Sequence, residues 1–370
     1  MAKILIVAGL DLSLILFRRE LIEGWLKSGC SVVAAAPGLK VEELLAELGA
    51  SYYRLPLERT GLNPVKDLFL LWKLSKLFRK EQPDYLFLYT IKPVIYGSLA
   101  SASVSSCRTY SMITGLGYAF TRSEDEGKLL RKLLVFLYRM ALKRNRKVFF
   151  QNPDDERFFV DKGIVDPEKV VRVNGSGVNT DYFSMAPHEQ GVVSFLMIAR
   201  LLLEKGIVEY IEAARKVKAR HPETRFMLVG WSFDKNPSAI VQGQVEEWQK
   251  EGIVEIYGET DDVRPYIARA GIYVLPSYRE GTPRTVLEAM AMGRAVITTA
   301  VPGCRETVIE GRNGFLVPVK NSEALAEAME RFIKQPELAE QMGVESRKIA
   351  EDKYDVKKVN RVINREMGLE

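Results

Sequence analysis

Histidine is nearly absent from this 370-residue chain. The two present, His188 and His221, each have a proline next to them, in "APHEQG" and "ARHPET". Little material is left for a Ser-His-Asp triad or a histidine-based metal site. Cysteine is also scarce. Cys30, Cys107 and Cys304 are widely spaced and odd in number, which argues against a disulfide framework or a zinc site and for a reducing compartment. No apolar run approaches the ~20 residues needed to span a bilayer. The opening "MAKILIVAGL" is too short for a signal peptide and reads as a first strand. A cytoplasmic protein that does not span a membrane is expected.

What the chain does contain is a repeated alternation. Its 47% hydrophobic and 27% charged residues suit a globular protein, and its length suits two domains. In the first half, "AKILIVAG", "CSVVAAA", "ASYYRLPL", "DYLFLYT", "TYSMITG" and "KVFFQ" are near-continuous apolar runs, the signature of parallel strands covered on both faces. Amphipathic stretches separate them. One ends at Gly49, a helix stop; another starts with Asn63 as N-cap and Pro64 at the first helical position. The pattern restarts with "VVSFLMIAR", "RFMLVG", "VEIYG", "IYVLPS", "AVITT" and "GFLVP". Two such series predict an α/β protein with two doubly wound Rossmann-like domains, 1–185 and 186–353, joined through the polar stretch at 179–191. Residues 354–370 read as a final helix across the junction. Ligands of such sheets bind beyond the strands' carboxyl ends, so a cleft between the domains is the expected site.

The charge is uneven. Residues 1–190 hold 27 basic and 21 acidic side chains, and the remainder 26 and 27, so the excess of the net +5 lies in the first half and points to an anionic partner there.

In "PSYREGTPRTVLEAMAMGRAVITT", Pro276–Thr299, Glu280 stands in a turn after a strand and Glu288 inside the following helix. The N-terminus of that helix favours an anion, and Gly281 lets the backbone approach a ligand closely. Glu280 can accept hydrogen bonds from hydroxyls, and Glu288 suits a ribose diol. Taken alone, the pair is better read as a capping residue and an ordinary surface glutamate. "MIARLLLEKG" adds Arg200 at a strand end and Lys205 just before Gly206, two cations suited to a diphosphate.

Together, "ARLLLEKG", "YGETDDVRPYIARAGIYVLPSYREGTPRTVLEAMAMGRAVITT" and "PGCRETVIEGRNGFLVP" strongly resemble glycosyltransferase family 4, of the two-Rossmann GT-B type, over most of residues 193–330. The family's two glutamates separated by seven residues match Glu280 and Glu288. "TGLNPVKD", "YTIKPVIYGSLA" and "MITGLGYAF" resemble a subgroup of bacterial enzymes that extend polyprenyl-diphosphate-linked oligosaccharides. The resemblance implies a retaining transfer of a sugar, N-acetylhexosamine first, from a UDP-sugar to a lipid-linked saccharide in surface-glycan or protein-glycan assembly. It implies that Arg200 and Lys205 hold the diphosphate, Glu288 the ribose and Glu280 the donor sugar's hydroxyls. Gly281 and Thr282 would offer backbone N–H groups, Tyr257 and Gly258 would lie by the base, and Gly9 would approach the diphosphate from the first domain.

The departures are specific. The first loop, "AGLDLS", has one glycine where many members have two, with Asp11 and Ser13 left to local roles. "YTIKP" lacks the histidine many members carry, which turns attention to Thr90 or Lys92 on the acceptor side. Gly271 and Ala300 replace family aspartates. No Asp-x-Asp motif occurs, and Glu124–Glu126 reads as a solvated helix start, so no cofactor and no metal are expected.

Residues 128–147, "KLLRKLLVFLYRMALKRNRK", carry eight basic and no acidic side chains on an apolar body and read as a basic amphipathic helix. With "WKLSKLFRK" at 72–80, this suggests peripheral binding to an anionic inner-membrane surface, with Lys128, Arg131, Lys132, Arg139 and Lys143 facing it. A transferase with a soluble acceptor, and a sugar-nucleotide epimerase or hydrolase of the same architecture, are the competing readings. Nothing resembles a nucleic-acid motif.

Overall fold

A computed structural model describes residues 1–370 apart from 59–62, 117–127, 189–190, 231–235 and 237. Glu124–Glu126 and the end of "MITGLGYAF" lie outside the described residues. The chain forms two units, Met1–Ser176 with Val359–Glu370, and Gly177–Lys358. Residues 177–185 count with the second unit because they are bonded into it. Val178 N donates to Tyr354 O (2.8 Å), Val356 N donates to Val178 O (3.0 Å), and Arg347 donates to the carbonyls of Thr180 and Phe183.

The first unit runs β1 (Lys3–Val7), α1 (Leu12–Lys27), β2 (Ser31–Ala36), α2 (Glu42–Leu48), β3 (Ser51–Arg54), α3 (Pro64–Glu81) and β4 (Tyr85–Tyr89). A π-helical turn, Pro93–Gly97, then leads into α4 (Ser98–Ala100), β5 (Arg108–Ile113), α5 (Lys128–Leu142), β6 (Asn145–Phe150), α6 (Pro153–Asp161) and β7 (Val170–Arg172). The seven strands are parallel in the order β3-β2-β1-β4-β5-β6-β7. Because side chains alternate across the sheet, Leu5, Val7, Leu86 and Leu88 join one core with α3 and α5, while Ile4, Ile6, Tyr85 and Phe87 join the other with α1.

The second unit runs β8 (Ser194–Ile198), α7 (Ile207–Arg220), β9 (Arg225–Val229), α8 (Gln242–Glu251), β10 (Glu255–Tyr257), α9 (Arg264–Arg269) and β11 (Ile272–Leu275). It continues with α10 (Arg284–Ala291), β12 (Ala295–Thr299), β13 (Gly314–Val317), α11 (Ser322–Lys334) and α12 (Glu337–Ile349). Its parallel order is β10-β9-β8-β11-β12-β13. The last helix, α13 (Val356–Met367), adds Val359, Ile363 and Met367 to the first unit's core, where Trp25 Nε1 donates to Asn364 Oδ1 at 2.9 Å.

Every strand read from the apolar runs is present. β7, "VVR", escaped notice because it is three residues long, ends on a charge and forms the sheet's edge. The caps behave as their chemistry requires: Asn63 Oδ1 accepts from Val65 N (3.0 Å), and Gly49 ends α2 at φ +92°. One expectation is corrected. The basic helix does not run through 128–147; it ends at Leu142, and from Asn145 the chain is β6, because the alternation that buries Val148 and Phe150 against one core and Phe149 against the other takes over.

Candidate functional site

The C-terminal ends of β8, β10 and β11 lie along one edge of the second unit's parallel sheet, and the residues singled out in this half of the sequence lie at these ends or just beyond them. Arg200 lies two residues past the end of β8. A tight 3₁₀ turn, Leu203–Lys205, comes next and closes on Gly206 at φ +74°. A Cβ on Gly206 would sit 2.2 Å from the carbonyl oxygen of Pro276. Only glycine therefore lets this turn press against the end of β11.

That packing joins Lys205 to the Glu280 turn. Lys205 Nζ bonds Glu280 Oε1, and both side chains are largely buried. The Ser277 hydroxyl lies 2.8 Å from the same oxygen and 3.0 Å from Glu204 O. The Glu280 turn is backed by the "VPG" loop: Glu280 N donates to Pro302 O at 3.1 Å. A Cβ on Gly303, at φ +84°, would lie 2.3 Å from Glu280 O. Cys304 is fully buried behind this turn. Burial first, then the Glu280 charge, pushes its thiol up to about 12, so it is an inert packing residue. Gly281 and Thr282 lead to α10, whose N-cap residue, Pro283, offers no capping side chain.

Glu288 is not a surface residue. It is 9% exposed, and Arg284 Nε, one helical turn earlier, donates to its Oε1 at 3.0 Å. Burial raises its carboxyl above the ordinary value, with Arg284 opposing. Tyr257 ends the edge strand β10. Its hydroxyl donates to Glu255 Oε2 at 2.7 Å and its ring packs edge-on against Tyr266. Gly258 has open space where a side chain would be. A hollow lined by Ser194, Lys218, Thr224 and Arg225 lies at the opposite, N-terminal strand ends, away from these groups. Among the described residues, no three His, Cys, Asp or Glu side chains cluster so as to hold a metal ion.

In the first unit, Gly9 and Thr90 meet. A Cβ on Gly9 would lie 2.4 Å from Thr90 Oγ1, so this glycine accommodates the threonine. Thr90 itself, just past β4, has φ +70°, and its buried hydroxyl has no hydrogen-bond partner. Lys92 is engaged: its Nζ donates to Asp67 Oδ1 at 2.6 Å, and Tyr96 donates to Asp67 Oδ2. Asp11 caps α1 and Ser13 bonds Tyr89, the local roles expected of them. Of the five residues assigned to a membrane, Lys128, Lys132 and Lys143 are exposed and Arg131 is half-buried. Arg139 is occupied elsewhere, donating to the carbonyls of Lys162 (2.6 Å) and Gly163 (3.0 Å) just beyond α6.

Sequence reasoning missed Ser277 and Arg284, the side chains that fix the two glutamates. The signals were present: a serine at the strand end, three residues before Glu280, and an arginine four residues before Glu288.

Both halves of the chain match known protein families. Residues 182–349 match the family model described as glycosyl transferases group 1, and residues 17–175 match the glycosyl transferase 4-like domain. The N,N'-diacetylbacillosaminyl-diphospho-undecaprenol α-1,3-N-acetylgalactosaminyltransferase of Campylobacter jejuni is 26% identical over 335 residues, 87% of each chain. The UDP-Gal:α-D-GlcNAc-diphosphoundecaprenol α-1,3-galactosyltransferase of Escherichia coli is 23% identical, covering 73% of this chain and 72% of its own. Among solved structures, Anabaena HepE in complex with UDP and glucose superposes with a TM-score of 0.80 at 18% identity over the full length of both chains, a likeness of fold. The fold is GT-B.

Proposed function

This chain belongs to glycosyltransferase family 4, and from that premise we propose that it moves an N-acetylhexosamine or hexose from a UDP-sugar to a polyprenyl-diphosphate-linked saccharide, with retention of the anomeric configuration. The observation that carries the reading is the Lys205–Glu280–Ser277 cluster at the strand ends of the group 1 domain. Two relatives whose names specify undecaprenyl-diphosphate-linked acceptors support the choice of acceptor. On this reading the protein serves the assembly of a bacterial surface glycan or protein glycan, at the cytoplasmic face of the inner membrane.

As the bond from the anomeric carbon to the leaving oxygen breaks, negative charge grows on the diphosphate. Arg200, Lys205 and the uncapped N-terminus of α10 are the groups assigned to that charge, and preorganised donors are the largest lever available for stabilising it. Glu280 holds Lys205 in place and receives the donor sugar's hydroxyls. Glu288, paired with Arg284, receives the ribose, with Tyr257, Gly258, Gly281 and Thr282 around the nucleotide. The acceptor hydroxyl attacks from the leaving group's side and gives its proton to the departing phosphate oxygen, so a chain poor in histidine needs no strong protein base. No metal is required on this reading.

The test is a panel of UDP-sugars with short-chain polyprenyl-diphosphate saccharides, products read by mass and anomeric configuration by NMR, with and without chelator. Transfer with retention in chelator is the expected result. An inverted product, or turnover that returns only with magnesium or manganese, contradicts it. Lys205→Ala is expected to lower kcat/KM by about 10²–10³-fold, the range for a lost transition-state donor. Near-normal turnover would remove the assignment.

A further inference from the structure

We propose that α3 and α5 together form a bilayer-docking face, with the Phe69–Trp72 pair as its interfacial anchor; the function reading above enters only in saying what the docked lipid delivers. The sequence suggested α5 by its charge. The structure shows that both helices are apolar on two sides. Leu70, Leu74, Leu77 and Phe78 bury the inner face of α3, yet Val65, Leu68, Phe69 and Trp72 form an outer row at helical spacing, with Val65 75% exposed and Trp72 52%. α5 repeats the arrangement. Tyr138, Ala141 and Leu142 face inward, while Leu129, Leu133, Phe136 and Met140 line the outside, Leu129 at 82% exposed. Single exposed apolar residues are ordinary, but two rows this long mark an interaction surface.

The two rows belong to one face of the sheet. Both helices pack on the segment 93–100 between them, and their inner sides share one core. Each helix follows a strand of a parallel sheet and runs back along it, so both begin at the strands' C-terminal edge. The α3 row occupies the first half of its helix, toward the edge where Thr90 lies.

The charge around the rows selects the occupant. Phe69 and Trp72 stack at 5.7 Å, and Lys73 Nζ lies 5.3 Å from both ring centres. Lys76 Nζ is 5.6 Å from the Trp72 ring. Aromatic rings bordered by lysine ammonium groups are the arrangement that settles at a lipid headgroup boundary. α5 has no acidic residue, and the two acids of α3 are already bonded, Asp67 to Lys92 and Glu81 to Lys3. A second copy of the chain would bring the same cations against themselves, which disfavours self-association here. An anionic bilayer complements both the apolar rows and their charged borders.

The experiment uses the full chain without substrate. Flotation with phosphatidylcholine vesicles, with and without phosphatidylglycerol, is paired with quenching of tryptophan fluorescence by brominated lipid. Trp25 and Trp248 are buried and Trp72 is exposed; Trp231, outside the described residues, is replaced by phenylalanine in every protein compared. Salt-sensitive binding to the anionic vesicles is expected, with quenching that disappears in Trp72→Phe while flotation persists. Phe69→Ala/Trp72→Ala and Leu133→Ser/Phe136→Ser are each expected to weaken binding about tenfold or more, the scale of one or two large side chains left in water. Both variants keep a chain's fold if they retain the wild-type melting response to UDP and transfer to a water-soluble short-chain acceptor. No binding to anionic vesicles overturns the proposal, as does unchanged binding in both variants. Self-association of the wild type, abolished by the same substitutions, assigns the face to a second copy instead. Failure of transfer with intact vesicle binding defeats the function reading and leaves the docking face standing.

Discussion

A β-branched residue at φ +70° is strained, since its Cβ crowds the neighbouring backbone, and such a conformation costs about 1–3 kcal/mol. Thr90 adopts it, leaves a buried hydroxyl unpaired, and occupies space that only glycine at position 9 leaves open. Local stability is better served by almost any other arrangement, so the strain points to a use. Thr90→Gly removes the strain and the unpaired hydroxyl together and is expected to raise Tm. If the strained threonine orients the acceptor, the same variant lowers kcat for the lipid-linked acceptor without changing KM for the UDP-sugar. Gly9→Ala pushes a methyl group into Thr90 and is expected to destabilise by about 1–3 kcal/mol, the usual scale for overpacking. The double variant should recover most of that loss, because the two sites are in contact. A lower Tm for Thr90→Gly, or additive effects in the pair, defeats the account.

Helix α10 breaks its own local rules. An arginine sits in its first turn and a glutamate one turn later, the reverse of what the helix dipole and the favoured order of ion pairs prefer. Burial raises the Glu288 carboxyl in spite of Arg284. The folded chain therefore holds this proton more tightly than the unfolded chain does, and stability falls as pH rises from the ordinary 4.5 through the raised value. Glu288→Gln is expected to remove that part of the decline, seen as a flatter dependence of Tm on pH just above 4.5, and to raise KM for the UDP-sugar. Equal slopes in the two proteins contradict a buried, ionising Glu288. The same helix shows how far sequence reaches. Its existence, its strand neighbours, its Glu288 and the Glu280 of the turn before it were legible because apolar periodicity and strand-end placement are local patterns. The Arg284 pairing and the Ser277 contact with Glu280 were not singled out, because they depend on which side chain burial turns inward. Residues pinned at a distance were missed for the same reason: Arg139 reads as a free cation until the carbonyls beyond α6 are seen to hold it, and nothing in "YTIKP" announces that Asp67, 25 positions away, neutralises Lys92.

At the scale of the molecule, two units carry separate cores, Val178 to Tyr354 in one and the two faces of the seven-stranded sheet in the other. The tie back to the first unit is α13, which closes Trp25 and Tyr110 under Ile363 and Met367. Chains built this way need not unfold in one step, and a ligand stabilises only the state that binds it. At a hundred times its Kd, UDP would add about 2.7 kcal/mol to the unit that holds it. Arg200, Lys205 and the start of α10, the groups assigned to the diphosphate's charge, all lie in Gly177–Lys358, so hydrogen exchange with saturating UDP has a defined expected outcome. Protection should rise at the Leu203–Gly206 turn, at Gly281–Val286 and through β11, whose amides respond together because Gly206 and Pro276 are in contact. Peptides from α1 and α2 should change less. Lys205→Ala should cut the protection gained at the α10 N-terminus, since the two elements share one anion. Protection appearing in the first unit while 203–206 and 281–286 exchange as before would mean that the nucleotide binds elsewhere, and the assignment of Lys205, Glu280 and Glu288 would fall with it.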